Sequence, residues 1–213
     1  MNDQSVFMHE IKNSLSNIYS LIDIIEGDPN ELKFCLPLIK EAIKQVKNVE
    51  KDYDEFRKSG TNSIKIIQVN LLALINSITD EYKSMADEAK ITFSVKCKNI
   101  KIQADATKLR QVLSNLISNA IKYNKPGGKV LIDCQVDEKI NIIVSDTGIG
   151  LSPDEIQNLG TTFYRSKKID VPGTGLGWAL IKNICKILGW NVVVRSKTKP
   201  SMYEYSTSVI LSI

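Results

Sequence analysis

Asn115-Leu-Ile-Ser-Asn119-Ala-Ile-Lys122-Tyr123 closes an amphipathic run that opens at Asp105 and stops at Asn124-Lys-Pro-Gly-Gly128. The stop carries strong turn chemistry, so the run reads as one helix over 105–123. Asn115 and Asn119 are four residues apart and share a helix face, and Lys122 falls near the same side. Magnesium takes hard oxygen ligands together with phosphate oxygens and keeps several waters. The side-chain oxygen of Asn119 can serve it without placing more negative charge beside a phosphorylated ligand. Lys122 adds a point charge for phosphate, and Tyr123 offers an aromatic ring to a base. Taken alone, the same segment is a polar helix face running into a turn.

Two glycine motifs follow in order. Asp146-Thr-Gly148-Ile-Gly150 comes directly after the apolar strand Ile142-Ile-Val144. A carboxylate at a strand end can accept a hydrogen bond from the exocyclic amine of adenine, and the glycines let the backbone approach a ligand. Gly173-Thr174-Gly175-Leu176-Gly177 precedes a helical run, Trp178 to Leu188. Backbone amides at a helix start bind phosphate. No strand leads into this motif and no Gly-Lys-Ser or Gly-Lys-Thr occurs, which excludes the dinucleotide fingerprint and the Walker loop. Each glycine motif alone is weak. The order and spacing of all three describe a pocket for ATP and magnesium.

Upstream, Phe7, Ile11, Leu15, Ile18, Ile22 and Ile25 recur at steps of three and four, which predicts a helix over 3–26. His9, Lys12, Asn13, Ser16 and Ser20 fall largely on its other face. Gly27-Asp-Pro-Asn30 breaks the chain, and a second stripe from Leu32 to Phe56 predicts a helix over 31–58. Pro37 lies in its first two turns, so that end is expected to kink or the helix to start later. Two helices joined by a short turn form an antiparallel hairpin. The stripes are wide enough to need a second partner, which a dimeric four-helix bundle supplies. Ser59-Gly-Thr-Asn-Ser63 reads as a hinge. Strands are expected at 64–69, 91–97, 101–104, 130–136, 139–145, 191–196 and 203–212, with a helix over 71–90. Helix and strand segregate in this order, so the fold class is α+β: a helical hairpin over 1–60, then a two-layer α/β sandwich over 61–213.

The 213 residues are 43 % apolar and 24 % charged, average for a globular protein and too apolar for disorder. A net charge of +4 without a long basic run gives nucleic-acid binding no support. Cys35, Cys97, Cys134 and Cys185 are far apart in sequence, and one histidine cannot complete a common zinc site. Reduced cytosolic thiols are the default expectation. No apolar stretch reaches the ~18 residues of a membrane span, and no signal peptide is visible at the N-terminus. The expected location is cytoplasmic, including the cytosolic part of a longer membrane-bound protein.

With these motifs assembled, the chain resembles sensor histidine kinases. Asn119-Ala-Ile-Lys122-Tyr123, Asp146-Thr-Gly-Ile-Gly150, Thr162-Phe-Tyr-Arg165 and Gly173-Thr-Gly-Leu-Gly177 look like the N, G1, F and G2 boxes of that family, and His9-Glu-Ile-Lys-Asn13 like its H box. The resemblance implies a dimerisation and phosphoacceptor hairpin followed by a Bergerat-type ATP-binding domain. It implies that Asn119 binds magnesium with help from Asn115, that Asp146 reads adenine and that Tyr123 packs on the base. Residues 163–173 would cover the phosphates, with Arg165 approaching the γ-phosphate or the acceptor, and Thr207 would hydrogen-bond around the adenine pocket. The implied partners are a second copy of the chain and the receiver domain of a response regulator. One departure is visible. Many members carry proline two residues after the position of Lys12, where this chain has Ser14, so the first helix is expected to run straighter.

His9 is the only histidine, and an imidazole is nucleophilic near neutral pH, with an ordinary pKa of roughly 6.5. Glu10 can fix its tautomer and draw off its proton. Asn13, one turn on, can orient a water for hydrolysis of a phosphorylated partner. Without the ATP motifs, His9 and Asn13 would read as plain exposed side chains. Three rivals stand beside a histidine kinase. An ATP-gated machine of the heat-shock or mismatch-repair type would want glutamate where Asn115 stands. A serine kinase of the anti-sigma type would lack the long hairpin. A non-catalytic scaffold would carry degraded motifs.

Overall fold

A computed structural model describes residues 3–59, 63–162, 164, 174–198 and 204–213, with helical backbone alone at 3–6, 9 and 10. Helices α1 (Asp3–Gly27) and α2 (Leu32–Ser59) form the hairpin. The turn between them is a short 3-10 segment, Pro29–Glu31, and Asp28 caps it by accepting the Asn30 amide at 2.9 Å. Helix α1 is unbroken past Ser14, as the missing proline leads one to expect. Pro37 neither delays nor ends α2. Leu21, Cys35, Ala42 and Val49 fill the seam between the helices. Phe7 stacks on Tyr53 with ring centroids 4.1 Å apart. Leu15, Tyr19, Ile22, Leu32, Leu36 and Ile43 remain exposed, so one chain buries one seam.

The second unit is built on a five-stranded sheet of order β2-β4-β5-β7-β6. Its strands are β2 (Thr92–Lys96), β4 (Lys129–Val136), β5 (Ile140–Asp146), β6 (Asn191–Ser196) and β7 (Thr207–Ser212). β4 and β5 make the expected antiparallel hairpin, β5 and β6 flank β7, and β2 runs parallel to β4 at the edge. Strands β1 (Ile66–Asn70) and β3 (Lys101–Asp105) pair separately. A parallel pair needs a crossover, and the chain between β2 and β4 supplies it with β3 and α5 (Ala106–Lys122). Helix α5 presents Leu109, Val112, Leu113, Leu116, Ile117, Ala120 and Ile121 to the core, with α7 (Gly177–Leu188) beside it contributing Leu180, Ile181 and Ile184. Asp105 starts α5 by accepting the Thr107 and Lys108 amides at 3.0 Å.

Two expectations are corrected. The helix expected over 71–90 is α3 (Leu71–Glu81) and α4 (Lys83–Glu88), parted at Tyr82, whose ψ of 4° leaves the helical range and re-aims the next turns so that Ala86 is buried. A short helix, α6 (Pro153–Asn158), stands where no element was expected. Its start is a capping box: the Glu155 amide donates to Ser152 Oγ at 3.3 Å, and Glu155 Oε2 accepts the Ser152 amide at 2.8 Å. Ser152→Ala should lower stability by about 1 kcal/mol. A urea denaturation curve checks it, since the midpoint should fall with an unchanged slope; superimposable curves would show that the cap carries no free energy.

Helix α2 ends against the sandwich. Asn183 Nδ2 donates to Ser59 Oγ at 2.6 Å, and the buried Lys108 donates to the Ser59 carbonyl at 3.0 Å. Residues 60–62 of the expected hinge lie outside the described residues.

Candidate nucleotide-binding site

Asp146 ends β5, the central strand, between Val130 of β4 and Thr207 of β7. Pairing on both sides fixes the strand end, so the carboxylate is held at the floor of an open cleft of about 770 Å³. Leu116, Asn119, Ala120 and Tyr123 of α5 form one wall; Ile149, Gly150, Leu151, Leu159 and Tyr164 form the rim, and Trp178 closes the α7 side. The walls are mostly apolar with few polar groups, the pattern of a site for a flat aromatic ligand.

The floor is preorganised. Asp146 Oδ1 accepts the Gly148 amide at 2.8 Å and the Ser206 hydroxyl at 3.2 Å. Among the described residues Oδ2 takes no donor, which leaves an acceptor for a ligand. Burial raises the Asp146 carboxyl to about 6, against the opposing pull of the Gly148 and Ser206 hydrogen bonds. Between its ordinary range and about 6, the folded protein therefore holds a proton that the unfolded chain lacks. A ligand that donates to the carboxylate favours the ionised form, so its affinity should rise with pH through that value. ADP should bind severalfold tighter at pH 7 than at pH 5. Titrations with the Asp146→Asn variant, which keep the nucleotide's own protonation and lose the carboxylate's, check the assignment. Equal pH profiles in both proteins would remove Asp146 from the contact.

The loop after Asp146 is laced to the end of α5. The Ile149 amide donates to the Tyr123 carbonyl at 3.1 Å, and a Cβ at Gly148 would collide with that same oxygen. Thr147 Oγ1 donates to Asn124 Oδ1 at 3.1 Å and accepts the Lys129 amide at 2.9 Å. Gly150 has φ +68°, and a Cβ there would strike the Lys197 carbonyl. The first and second motifs therefore form one continuous rim.

The third motif approaches from the far side. A Cβ at Gly177 would lie 2.5 Å from Asn115 Oδ1, so the start of α7 sits directly on the second asparagine. Asn115 Nδ2 donates to the Gln111 carbonyl at 2.9 Å, which turns its Oδ1 toward Gly177. Thr174 is buried; its hydroxyl donates to Asp52 of α2 at 2.7 Å and accepts the Leu176 amide at 3.3 Å. Gly175 adopts φ +70° at the turn into the helix.

The structure thus gathers Asn119, Tyr123, Asp146, Gly150 and Thr207 around one cleft and sets Asn115 and Gly177 against each other beside it. Lys122 is half-buried one turn past Asn119 and is not in the cleft wall. Phe163, Arg165 and Gly173 lie outside the described residues, as do the side chains of His9 and Glu10; Asn13 sits on α1, one turn from His9 and remote in sequence from the cleft residues. Sequence reasoning missed Ser206 and Trp178, and it named Tyr164 only as part of the run 162–165. Trp178 follows the third motif directly and could have been found from its place at the helix start.

A family profile described as histidine kinase-, DNA gyrase B-, and HSP90-like ATPase matches residues 104–213. The chain belongs to this ATPase family. Sensor protein SrrB of Staphylococcus aureus (strain NCTC 8325 / PS 47) is 27 % identical over 201 residues, covering 89 % of this chain and 34 % of SrrB. The chain thus spans about a third of the length of such curated relatives. Among solved structures, the Acinetobacter baumannii histidine kinase AdeS superposes with a TM-score of 0.74 at 19 % identity, covering 96 % of both chains. Histidine kinase ThkA in complex with response regulator protein TrrA gives 0.76 at 20 % identity, over 97 % of this chain and 59 % of that one. These superpositions bear out the α+β fold of hairpin and sandwich, and the ATPase profile and SrrB bear out the resemblance to sensor histidine kinases. Among the described residues, no helix of this chain is long and apolar enough to cross a membrane.

Proposed function

We propose that the chain is a protein histidine kinase core that moves the γ-phosphoryl group of ATP to His9 and then to an aspartate of a response-regulator receiver domain. The observation that carries this reading is the buried Asp146 with one open acceptor, set under a cleft whose wall is the Asn119 helix. Asp146 accepts the adenine amine, Tyr123 packs on the base, and Thr207 lies beside the carboxylate. The amides of Gly173 to Gly177, with Thr174, Gly175 and Leu176 between, hold phosphate oxygens at the start of α7. Lys122 supplies a nearby positive charge.

The donor set fits magnesium. Asn115 Oδ1 and the Asn119 amide have no partner among the described residues and project from one face of α5. These two residues would hold the ion, which supplies neutralisation of phosphate charge when bound. Phosphoryl transfer needs positioning and charge neutralisation above all. Glu10 accepts the proton of the distal His9 nitrogen; the other nitrogen forms a bond to the γ-phosphorus as the bond to the β-bridging oxygen breaks and ADP leaves. Arg165 meets the developing charge. Asn13, one turn from His9, positions a water against the phosphorylated regulator and gives the protein a phosphatase activity.

The exposed apolar residues of the hairpin, Leu15, Ile22, Leu36 and Ile43 among them, support a homodimer closed by a four-helix bundle. Residues 1–60 are then the phosphoacceptor unit and 61–213 the ATP-binding unit, working in the cytoplasm where ATP is supplied. The ThkA–TrrA complex supports a receiver domain as partner. The position occupied by Asn115, where ATP-hydrolysing machines want glutamate, argues against transfer to water. Incubation with γ-labelled ATP tests the proposal. The protein should gain label that is lost in acid and kept in alkali; label stable in acid, or release of free phosphate without labelling, would refute it.

A further inference from the structure

Cys97 and Cys134 lie 37 residues apart in sequence and side by side in the fold. Strands β2 and β4 run parallel in a register that pairs Phe93 with Val130, Val95 with Ile132 and Lys96 with Asp133. Cys97 is the first residue past the end of β2, and the same register carried one step further sets it opposite Cys134. Alternation puts both on the face that Phe93, Val95, Val130 and Ile132 turn to the core, and both cysteines pack against it. Adjacent strands run about 4.8 Å apart, within the ~4.4–6.8 Å that a disulfide spans between Cα atoms. The Cys97 thiol donates to the Lys98 carbonyl at 3.4 Å, and the two thiols lie close enough for each to shift the ionisation of the other. Both are free and partly exposed, whereas Cys35 and Cys185 are buried. From the parallel register and the partial exposure we infer that Cys97 and Cys134 are a dithiol modification site that a small-molecule disulfide oxidises to an intrachain bridge.

The chemistry follows from the surroundings. Burial raises both thiols, Cys134 furthest, and the contact from Cys134 offsets part of the rise at Cys97. Cys97 therefore ionises first and is the attacking sulfur. Its thiolate attacks a small disulfide RSSR, forming a mixed disulfide and releasing one RS⁻. The Cys134 sulfur, on losing its proton, attacks Cys97 Sγ and expels the second RS⁻. Two thiols of the protein are oxidised, two small thiols are produced, and the two protons pass to them. The bridge closes a loop from 97 to 134 that holds β3, all of α5 and most of β4. It thus staples the edge strand to the sheet and ties down the ends of the segment bearing Asn115 and Asn119.

Oxidised glutathione is the probe, applied to the full reduced chain at pH 8, with alkylation, peptide mass analysis and thermal melting as readouts. The expected result is loss of two of four thiols, a linked Cys97–Cys134 peptide two hydrogens lighter than its parts, and no bound glutathione. Cys134→Ser should retain one glutathione on Cys97. The bridge should raise the melting temperature by about 5 °C or more, reversibly with dithiothreitol. A bridge to Cys35 or Cys185, glutathione lodged on wild-type Cys97 without a cross-link, or four unchanged thiols would overturn the inference. A bridge that leaves the melting temperature unmoved would overturn the clamp. The wild-type measurement decides alone if the serine variant does not fold.

Discussion

His9→Gln should leave a protein that binds ATP with unchanged affinity and gains no acid-labile phosphate at all. His9 is the only histidine, so no other imidazole can take over as acceptor. Glutamine is polar, forms helix well and removes the nucleophilic ring nitrogen. Among the described residues the cleft is lined from Leu116 onward, more than a hundred positions along the chain from His9. Two measurements on one preparation decide the matter: a fluorescent-nucleotide titration and a labelling time course with acid and alkali washes. Undiminished acid-labile label would take the acceptor role from His9. A lost nucleotide affinity would mean that α1 shapes the cleft, and the residue would then be structural.

Asp146→Asn should weaken ATP binding by about 1–3 kcal/mol, or roughly 5- to 150-fold, the usual result of leaving a buried polar contact unmet. The asparagine oxygen can still accept from the Gly148 amide and Ser206. That directs its amide into the cleft, donor against the donor of the adenine amine. Guanine presents an acceptor at that position, so the preference for ATP over GTP should shrink together with the affinity. Folding should not suffer at neutral pH. The carboxyl is raised to about 6 because its charge is buried, so the native state gains by losing that charge. A melting curve at pH 7 no lower than wild type, together with the affinity loss, separates recognition from stability. Equal ATP affinities in the two proteins would end the adenine-reading role.

Much of this was legible because the relevant signals are local. Helix α5 announces itself by apolar spacing, by the Asp105 cap and by the turn at 124–128. The strand before Asp146 is apolar and short, and the glycines mark where backbone must come close, as the Tyr123 carbonyl against Gly148 shows. What was not legible depends on chain segments distant from one another. Nothing in 92–96 says that it pairs in parallel with 129–133, and nothing in 66–70 says that it leaves the main sheet to join 101–105. Ser206 supports Asp146 from 60 residues away. The neighbourhood of Cys97 and Cys134 follows from the same hidden register. By contrast, the capping box at Ser152 and Glu155 was a local signal that was overlooked. Pro37 lies inside α2 without delaying its start, which is at Leu32 directly after the 3-10 turn.

The hydroxyl of Thr174 has two claimants. It donates to Asp52 on the hairpin, and it stands inside the glycine segment at the start of α7. A hydroxyl has one proton to give. Any ligand that draws that proton releases Asp52, and any partner that holds Asp52 in place taxes the ligand. Thermodynamic reciprocity makes the two effects equal: the factor by which hairpin docking changes affinity at the glycine segment is the factor by which occupancy there changes docking. A single hydrogen bond of this kind is worth about 0.5–1.5 kcal/mol, and about 1.5–3 where one partner is charged. The exchange therefore sets a coupling of a few-fold to about a hundredfold between the two halves of the chain, carried by one shared proton.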